Sequence, residues 1–175
     1  MGFDFVVISG GKAIRGPQSA GLLMGKKNII AAARLSMPPR GFNIGRGMKI
    51  NKEEILGMYV ALEKYINQDH DREWKDWEDR IALIDKTVKA VQGVNTEVHV
   101  PPLGNHTPTL RITWDNTKVK ISDKQLRDAL RSSSPSIEVG GGNANSINVT
   151  VFMLKPGQEK IVASRIKEEF SRASA

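Results

Sequence analysis

Cysteine is absent from the 175 residues. That excludes disulfides and thiolate-held metals, and it makes a cytoplasmic setting the expectation. Histidine is scarce, with His70, His99 and His106 the only three. None follows an HxxxH or HExxH spacing, so no metal site is expected. No apolar run approaches the ~20 residues that cross a bilayer. No basic stretch followed by an apolar core opens the chain, so no secretory leader is read there and no membrane partner is expected. Acidic residues are nearly missing from one region. Residues 1–49 hold eight Lys/Arg and a single acid, Asp4, while the remainder carries 18 of each sign. The whole net charge of +7 therefore sits in that first region. It reads as a surface for anions (a cofactor phosphate, a phosphorylated substrate or a nucleic acid), or as one balanced by acidic polypeptide. Its basic residues are not interleaved with aromatics, which disfavours the nucleic acid. Hydrophobic residues make up 39%, as in ordinary globular chains.

What is present is organised around residues 3–25, FDFVVISGGKAIRGPQSAGLLMG. Its first six residues are mostly apolar and rich in β-formers, as in a central α/β strand covered on both faces. The strand ends at Ser9-Gly10-Gly11-Lys12. The glycines let the backbone approach a ligand closely. Lys12 falls just past a strand end, where α/β sheets bind ligands. A P-loop is excluded: no first glycine stands at the required offset, and Ala13 replaces its hydroxyl residue. A lysine that condenses with a carbonyl cofactor fits the position. Such a lysine must be neutral, whereas a free one with pKa ~10.4 is neutral about once in a few thousand molecules at pH 7. Burial and the neighbouring Arg15 would both favour the neutral amine. The same residues also fit a solvated loop lysine, and residue chemistry alone leaves both readings open.

The wording of residues 4–35, DFVVISGGKAIRGPQSAGLLMGKKNIIAAARL, resembles the active-site segment of the selenocysteine-synthase-like branch of fold-type-I pyridoxal-phosphate (PLP) enzymes. That branch includes L-seryl-tRNA(Sec) selenium transferase and D-glucosaminate-6-phosphate ammonia-lyase. Residues 45–65, GRGMKINKEEILGMYVALEKY, resemble the family's entry into its small domain. The resemblance covers the whole chain and is strongest in residues 1–66. It implies an α/β chain: the C-terminal remnant of a PLP-binding large domain (strand, loop, strand, helix) over residues 1–36. A linker follows over residues 37–50, then a small α+β domain with an antiparallel sheet over residues 51–175. It implies PLP as cofactor, with Lys12 the catalytic lysine and Ser9, Gly10 and Gly11 beside the cofactor. It makes the whole protein a lyase or transferase acting on an amino acid or amino-sugar phosphate. A homo-oligomer is implied, and seryl-tRNA stays open as a substrate. Family members are roughly twice as long, with the acid for the pyridine nitrogen upstream of the lysine. Asp4 is too near Lys12 in sequence to be that acid. The expectation is therefore a C-terminal half, either part of a longer or split enzyme or a non-catalytic assembly half. An unaccompanied β-type strand at residue 3 points the same way, because it needs neighbours and covers.

Along the rest of the chain, a helix is expected from about residue 26 to 36, stopped by Pro38-Pro39. Arg40 and Arg46 of the Pro/Gly-rich segment are candidates to reach the site, with solvated linker charge the alternative. Asn51 and Glu54 frame a capping box for a helix to about residue 67. Its apolar stripe comprises Ile55, Met58/Tyr59, Leu62 and Tyr65/Ile66. A second helix over residues 71–91 carries Trp74, Trp77, Ile81, Ile84, Val88 and Val91 in a packing seam. Strands are expected at 97–100, 109–114, 136–139 and 146–154, with helices from Ser122 to about 131 and after Pro156-Gly157. Arg111 lies on the polar side of its strand, a candidate for a substrate carboxylate or an ordinary exposed arginine.

Overall fold

A computed structural model describes residues 2–37 and 42–174. Pro38, Pro39 and Arg40 lie outside the described residues. The chain forms two compact units, residues 1–68 and 69–175.

In the first unit β1 (Phe5–Ser9) pairs antiparallel with β2 (Gly21–Gly25), with Val7 opposite Leu23 and Ser9 opposite Gly21. Helix α1 (Lys27–Leu35) follows, then a 3-10 turn at Ile44–Met48 and helix α2 (Lys52–Ile66). The expected buried central strand is not what forms. β1 is one half of a two-stranded ribbon, and Val7 is 69% exposed. The physical reason is that, among the described residues, β2 is its only strand partner, and of its five residues only Ile8 is even half-buried. Phe3, Phe5, Leu23 and Met24 are exposed as well. α2 begins as its capping box requires, with Asn51 N–H donating to Glu54 Oε2 at 3.1 Å. The expected apolar stripe packs only in part: Met58 is buried and Leu62 and Tyr65 are half-buried, whereas Ile55, Tyr59 and Ile66 are exposed. Met58 is the one buried residue of α2. α2 was expected to open the second domain, yet contact places it in the first unit, where it seats the loop between β1 and β2.

The second unit is an antiparallel sheet covered by helices. Its elements are α3 (His70–Val88), β3 (Val94–His99), β4 (Thr109–Trp114), α4 (Asp123–Arg131), β5 (Gly140–Gly141), β6 (Ser146–Thr150) and α5 (Gln158–Ala173). The strand order is β3-β4-β6-β5. Alternation on β4 turns Leu110, Ile112 and Trp114 into the core, where Ile81, Ile84 and Val88 of α3 and Ile166 and Phe170 of α5 meet them. The expected α3 seam is thus a core face of its own unit. Asp69 starts α3 by accepting the Arg72 N–H at 2.9 Å, and Ser122 with Gln125 caps α4.

Two strand expectations shift. Residues 136–139 are irregular because their polar groups turn to α4. Ile137 N–H donates to Leu130 O at 3.0 Å, and the Ser136 hydroxyl donates to Arg131 O at 2.6 Å. The ladder forms instead at Gly140 and Gly141, just past the expected strand. β6 ends at Thr150, since Leu154 N–H closes a turn onto Val151 O at 3.0 Å. Met153, within the expected strand, is 78% exposed.

Candidate functional site

The loop joining β1 to β2 is an arch with fastened feet. Gly10 N–H donates to Ala20 O at 2.9 Å, which continues the β1–β2 pairing one step further. Gly16 N–H donates to Gly10 O at 2.8 Å, and Arg15 N–H to Lys12 O at 2.9 Å. Arg15 takes a left-handed φ of 59°, which turns the chain back after the lysine. At the far foot the Ser19 hydroxyl bonds Glu54 Oε1, so the carboxylate that caps α2 also ties down the loop.

One face of α2 supports the arch. Glu54, Gly57, Met58 and Ala61 follow at spacings of three, one and three, which places them together on a helix. A Cβ on Gly57 would stand 2.9 Å from Pro17 Cγ. A Cβ on Gly10 would collide with Met58 Sδ and stand 2.7 Å from Ala20 O. Gly10 is therefore a packing glycine, pressed between methionine sulfur and backbone. Gly11 faces the loop's own Gln18, whose side-chain oxygen would lie 2.6 Å from a Cβ there.

Lys12 stands at the crown of this arch, just past the end of β1, and its side chain is exposed. The burial expected of it is not supplied by this chain, because the supported side of the loop is the side of Gly10 and Ala20. Ser9 closes β1 three residues earlier, also exposed, opposite Gly21. The structure thus gathers Ser9, Gly10, Gly11, Lys12 and Arg15 within one short loop. Arg46 lies elsewhere in the first unit, exposed on the 3-10 turn. Arg111 belongs to the second unit, exposed on β4 with Glu97 Oε2 at 3.5 Å. Arg40 lies outside the described residues. Asp4 forms an ion pair with Lys26 and is occupied there.

Sequence reasoning missed Ser19, Gly57, Met58 and Ala61 as the seat of the lysine loop. Gly57 carried the signal. A glycine inside a helix costs about 1 kcal/mol against alanine, so it marks a place where something comes close. Among the described residues there is no cluster of three or more His, Cys, Asp or Glu able to hold a metal, and no helix long and apolar enough to cross a membrane.

An exposed amine on a glycine loop past a strand, followed by a helix and an antiparallel α+β unit, agrees with the layout that the resemblance to fold-type-I PLP enzymes implies. No family model matches the chain. Its curated relatives include the D-glucosaminate-6-phosphate ammonia lyase of Salmonella typhimurium, 24% identical over 172 residues, covering 95% of this chain and 43% of that protein. A 5'-C-glycyluridine monooxygenase-decarboxylase of Streptomyces sp is 24% identical over 169 residues, covering 95% and 41%. The L-seryl-tRNA(Sec) selenium transferase of Aquifex aeolicus is 26% identical over 152 residues, covering 78% and 32%. Among solved structures, that of D-glucosaminate-6-phosphate ammonia-lyase superposes with a TM-score of 0.74 at 22% identity, covering 98% of this chain and 45% of that one. The structure titled SPT with PLP internal aldimine gives 0.56 at 11% identity, covering 98% and 40%. The resemblance read from the sequence is borne out: the chain's relatives and fold neighbours are PLP-dependent enzymes of the ammonia-lyase and selenocysteine-synthase-like kind. The chain spans less than half the length of these relatives, consistent with a C-terminal half.

Proposed function

We propose that this chain carries the cofactor lysine of a PLP-dependent lyase or transferase. Lys12 is the residue that holds the cofactor, and Ser9 with the Gly10 and Gly11 backbone lies beside it. The observation that supports this reading is the arch itself. It presents one exposed amine just past the end of a sheet strand, on a loop fastened by the Gly10–Ala20, Gly16–Gly10 and Ser19–Glu54 bonds. A lone solvated lysine would need none of those ties. The substrates proposed are an amino acid or a phosphorylated amine, with Arg15, Arg46 and Arg111 as candidate partners for their anionic groups. tRNA is a less favoured substrate.

Bound PLP supplies an electron sink for a bond broken at the α-carbon of an amine substrate. This chain's part is to hold and move a proton. Lys12 would hold the cofactor, and its free amine, kept within hydrogen-bond reach of the substrate α-carbon, would take the proton there and return it. That role needs Lys12 free to swing yet kept within hydrogen-bond reach, which a crown on fixed feet provides. The stretch 1–36 is, on this reading, the end of a cofactor-binding domain. Burial of Lys12 and the partner for the pyridine nitrogen then come from polypeptide beyond the described residues, whether upstream sequence or a second subunit.

A second reading keeps the fold and drops the catalysis: the chain is an assembly half that completes a sheet. The exposed Phe5, Val7, Leu23 and Met24 favour it. One experiment addresses both. The chain is titrated with PLP, reduced with borohydride and mapped by mass spectrometry. Label concentrated on Lys12, with a visible absorption band, supports the first reading. If Lys12→Ala takes up as much label as the parent, the assignment of Lys12 is wrong. If Lys12 alone is unlabelled and no band appears, the assembly reading is favoured.

A further inference from the structure

We propose that Met58 is the positioning residue for Lys12, setting the height of the lysine loop by filling the space over Gly10 and Gly16. The proposal rests on the reading of Lys12 as the cofactor lysine. It concerns a residue 46 positions away from Lys12 on another element.

The geometry is specific. Met58 is 4% exposed, on a helix whose other apolar residues are largely bare. Its sulfur lies within clashing distance of where a Cβ of Gly10 would be, and 2.9 Å from where a Cβ of Gly16 would be. Those two glycines close the ring that contains Lys12, through the 2.8 Å bond from Gly16 N–H to Gly10 O. Ala61, one turn further along α2, completes the seat at 3.3 Å from the same Gly16 position. A thioether suits this place. It is unbranched and polarizable, so it can lie flat against two stretches of bare backbone. A β-branched side chain would not.

The consequence for Lys12 is positional. Lys12 is two residues from one clamped glycine and four from the other. Shortening Met58 leaves a void under both, and the loop then settles or wanders. A misplacement of about 1 Å at a reacting group is enough to cost about 100-fold in rate. Met58 touches neither cofactor nor substrate on this account and acts only through the loop.

The test uses the 175-residue chain, with the Met58→Ala, Met58→Leu, Gly16→Ala and Gly16→Ala/Met58→Ala variants, and inorganic borohydride with PLP as the probe. Three readouts are taken: amide exchange at Gly10 and Gly16, the rate of PLP attachment at Lys12, and the pH dependence of the visible band. Met58→Ala is expected to speed exchange at both glycines and to slow attachment at Lys12, each by about tenfold or more. Met58→Leu, nearly the same volume, is expected to restore most of both. Gly16→Ala alone drives a methyl against the sulfur and is expected to disturb the loop. In the double variant that methyl enters the vacated space and recovers part of the loss, a coupling that general destabilisation would not produce. Unchanged exchange at Gly10 and Gly16 in Met58→Ala overturns the proposal. So does an additive double variant. If Lys12 takes up no PLP even in the parent, the cofactor-lysine reading fails, and exchange with the double-variant cycle still decides whether Met58 clamps the loop.

Discussion

The Ser19 hydroxyl and the Glu54 carboxylate meet across 35 positions of sequence, and the other oxygen of Glu54 accepts the N–H of Asn51, the cap residue before α2. One side chain therefore serves as helix cap and as loop tether. Glu54→Ala is expected to lower the stability of the first unit by about 1 kcal/mol, the usual loss for a helix cap. Ser19→Ala removes only the tether and should leave α2 helical. Urea denaturation followed by circular dichroism, with amide exchange at Ala20, separates the two.

Lys12 contributes nothing visible to folding. Its side chain is exposed, and the bond that Arg15 makes near it is to its backbone oxygen. Lys12→Ala is expected to change stability by less than about 0.5 kcal/mol while abolishing PLP attachment at that position. A thermal melt beside the labelling map checks both halves of the statement.

In the second unit the rings of Trp114 and Phe170 stand 5.1 Å apart at 55°, joining β4 to α5. Phe170 is fully buried. Phe170→Ala leaves a cavity against the tryptophan and is expected to cost about 3–5 kcal/mol. The Trp114 indole N–H keeps its bond to Ile121 O at 2.8 Å. The fluorescence change should therefore report a wetter ring rather than a lost hydrogen bond. Fluorescence-detected denaturation measures it.

Acid should loosen the same unit. Hydrogen bonds from Arg131 hold the Glu138 carboxyl below its usual range, Thr117 does so for Asp115, and Lys124 for Asp128. Each carboxylate is depressed in the folded chain, so the unfolded chain binds more protons over that window. The stabilisation is full above the ordinary carboxylate pKa and is lost as pH falls through the depressed values. Melting temperature is expected to fall below about pH 4, and less steeply in Glu138→Gln. A melt series in low salt checks this, because added salt screens exposed pairs.

The second unit was largely legible in the sequence. Its β4 was set by strict alternation from Leu110 to Trp114, and α3 and α4 by their caps and apolar spacing. Misreadings arose where side chains or carbonyls outbid local pattern. Ile137 and Val139 alternate like a strand, and both are buried, yet the Ile137 N–H goes to Leu130 O at the end of α4. In the first unit the lysine loop was legible because Ser9-Gly10-Gly11-Lys12 is short and chemically marked. The role of Gly10 was not, because a glycine that admits a ligand and a glycine that admits a methionine look alike in one dimension. The stripe on α2 misled for a related reason: its apolar residues outnumber those that pack. The packing face centres on Met58 and is completed by Gly57 and Ala61, which carry almost no hydrophobic signal.

The ribbon of β1 and β2 has a practical consequence. Bare aromatic and aliphatic groups beside open strand margins let neighbouring copies zip together, so a purified stock should cloud as it is concentrated. Dilute samples, or a mild detergent that cloaks Phe5 and Leu23, will be needed before any spectrum of this chain can be trusted.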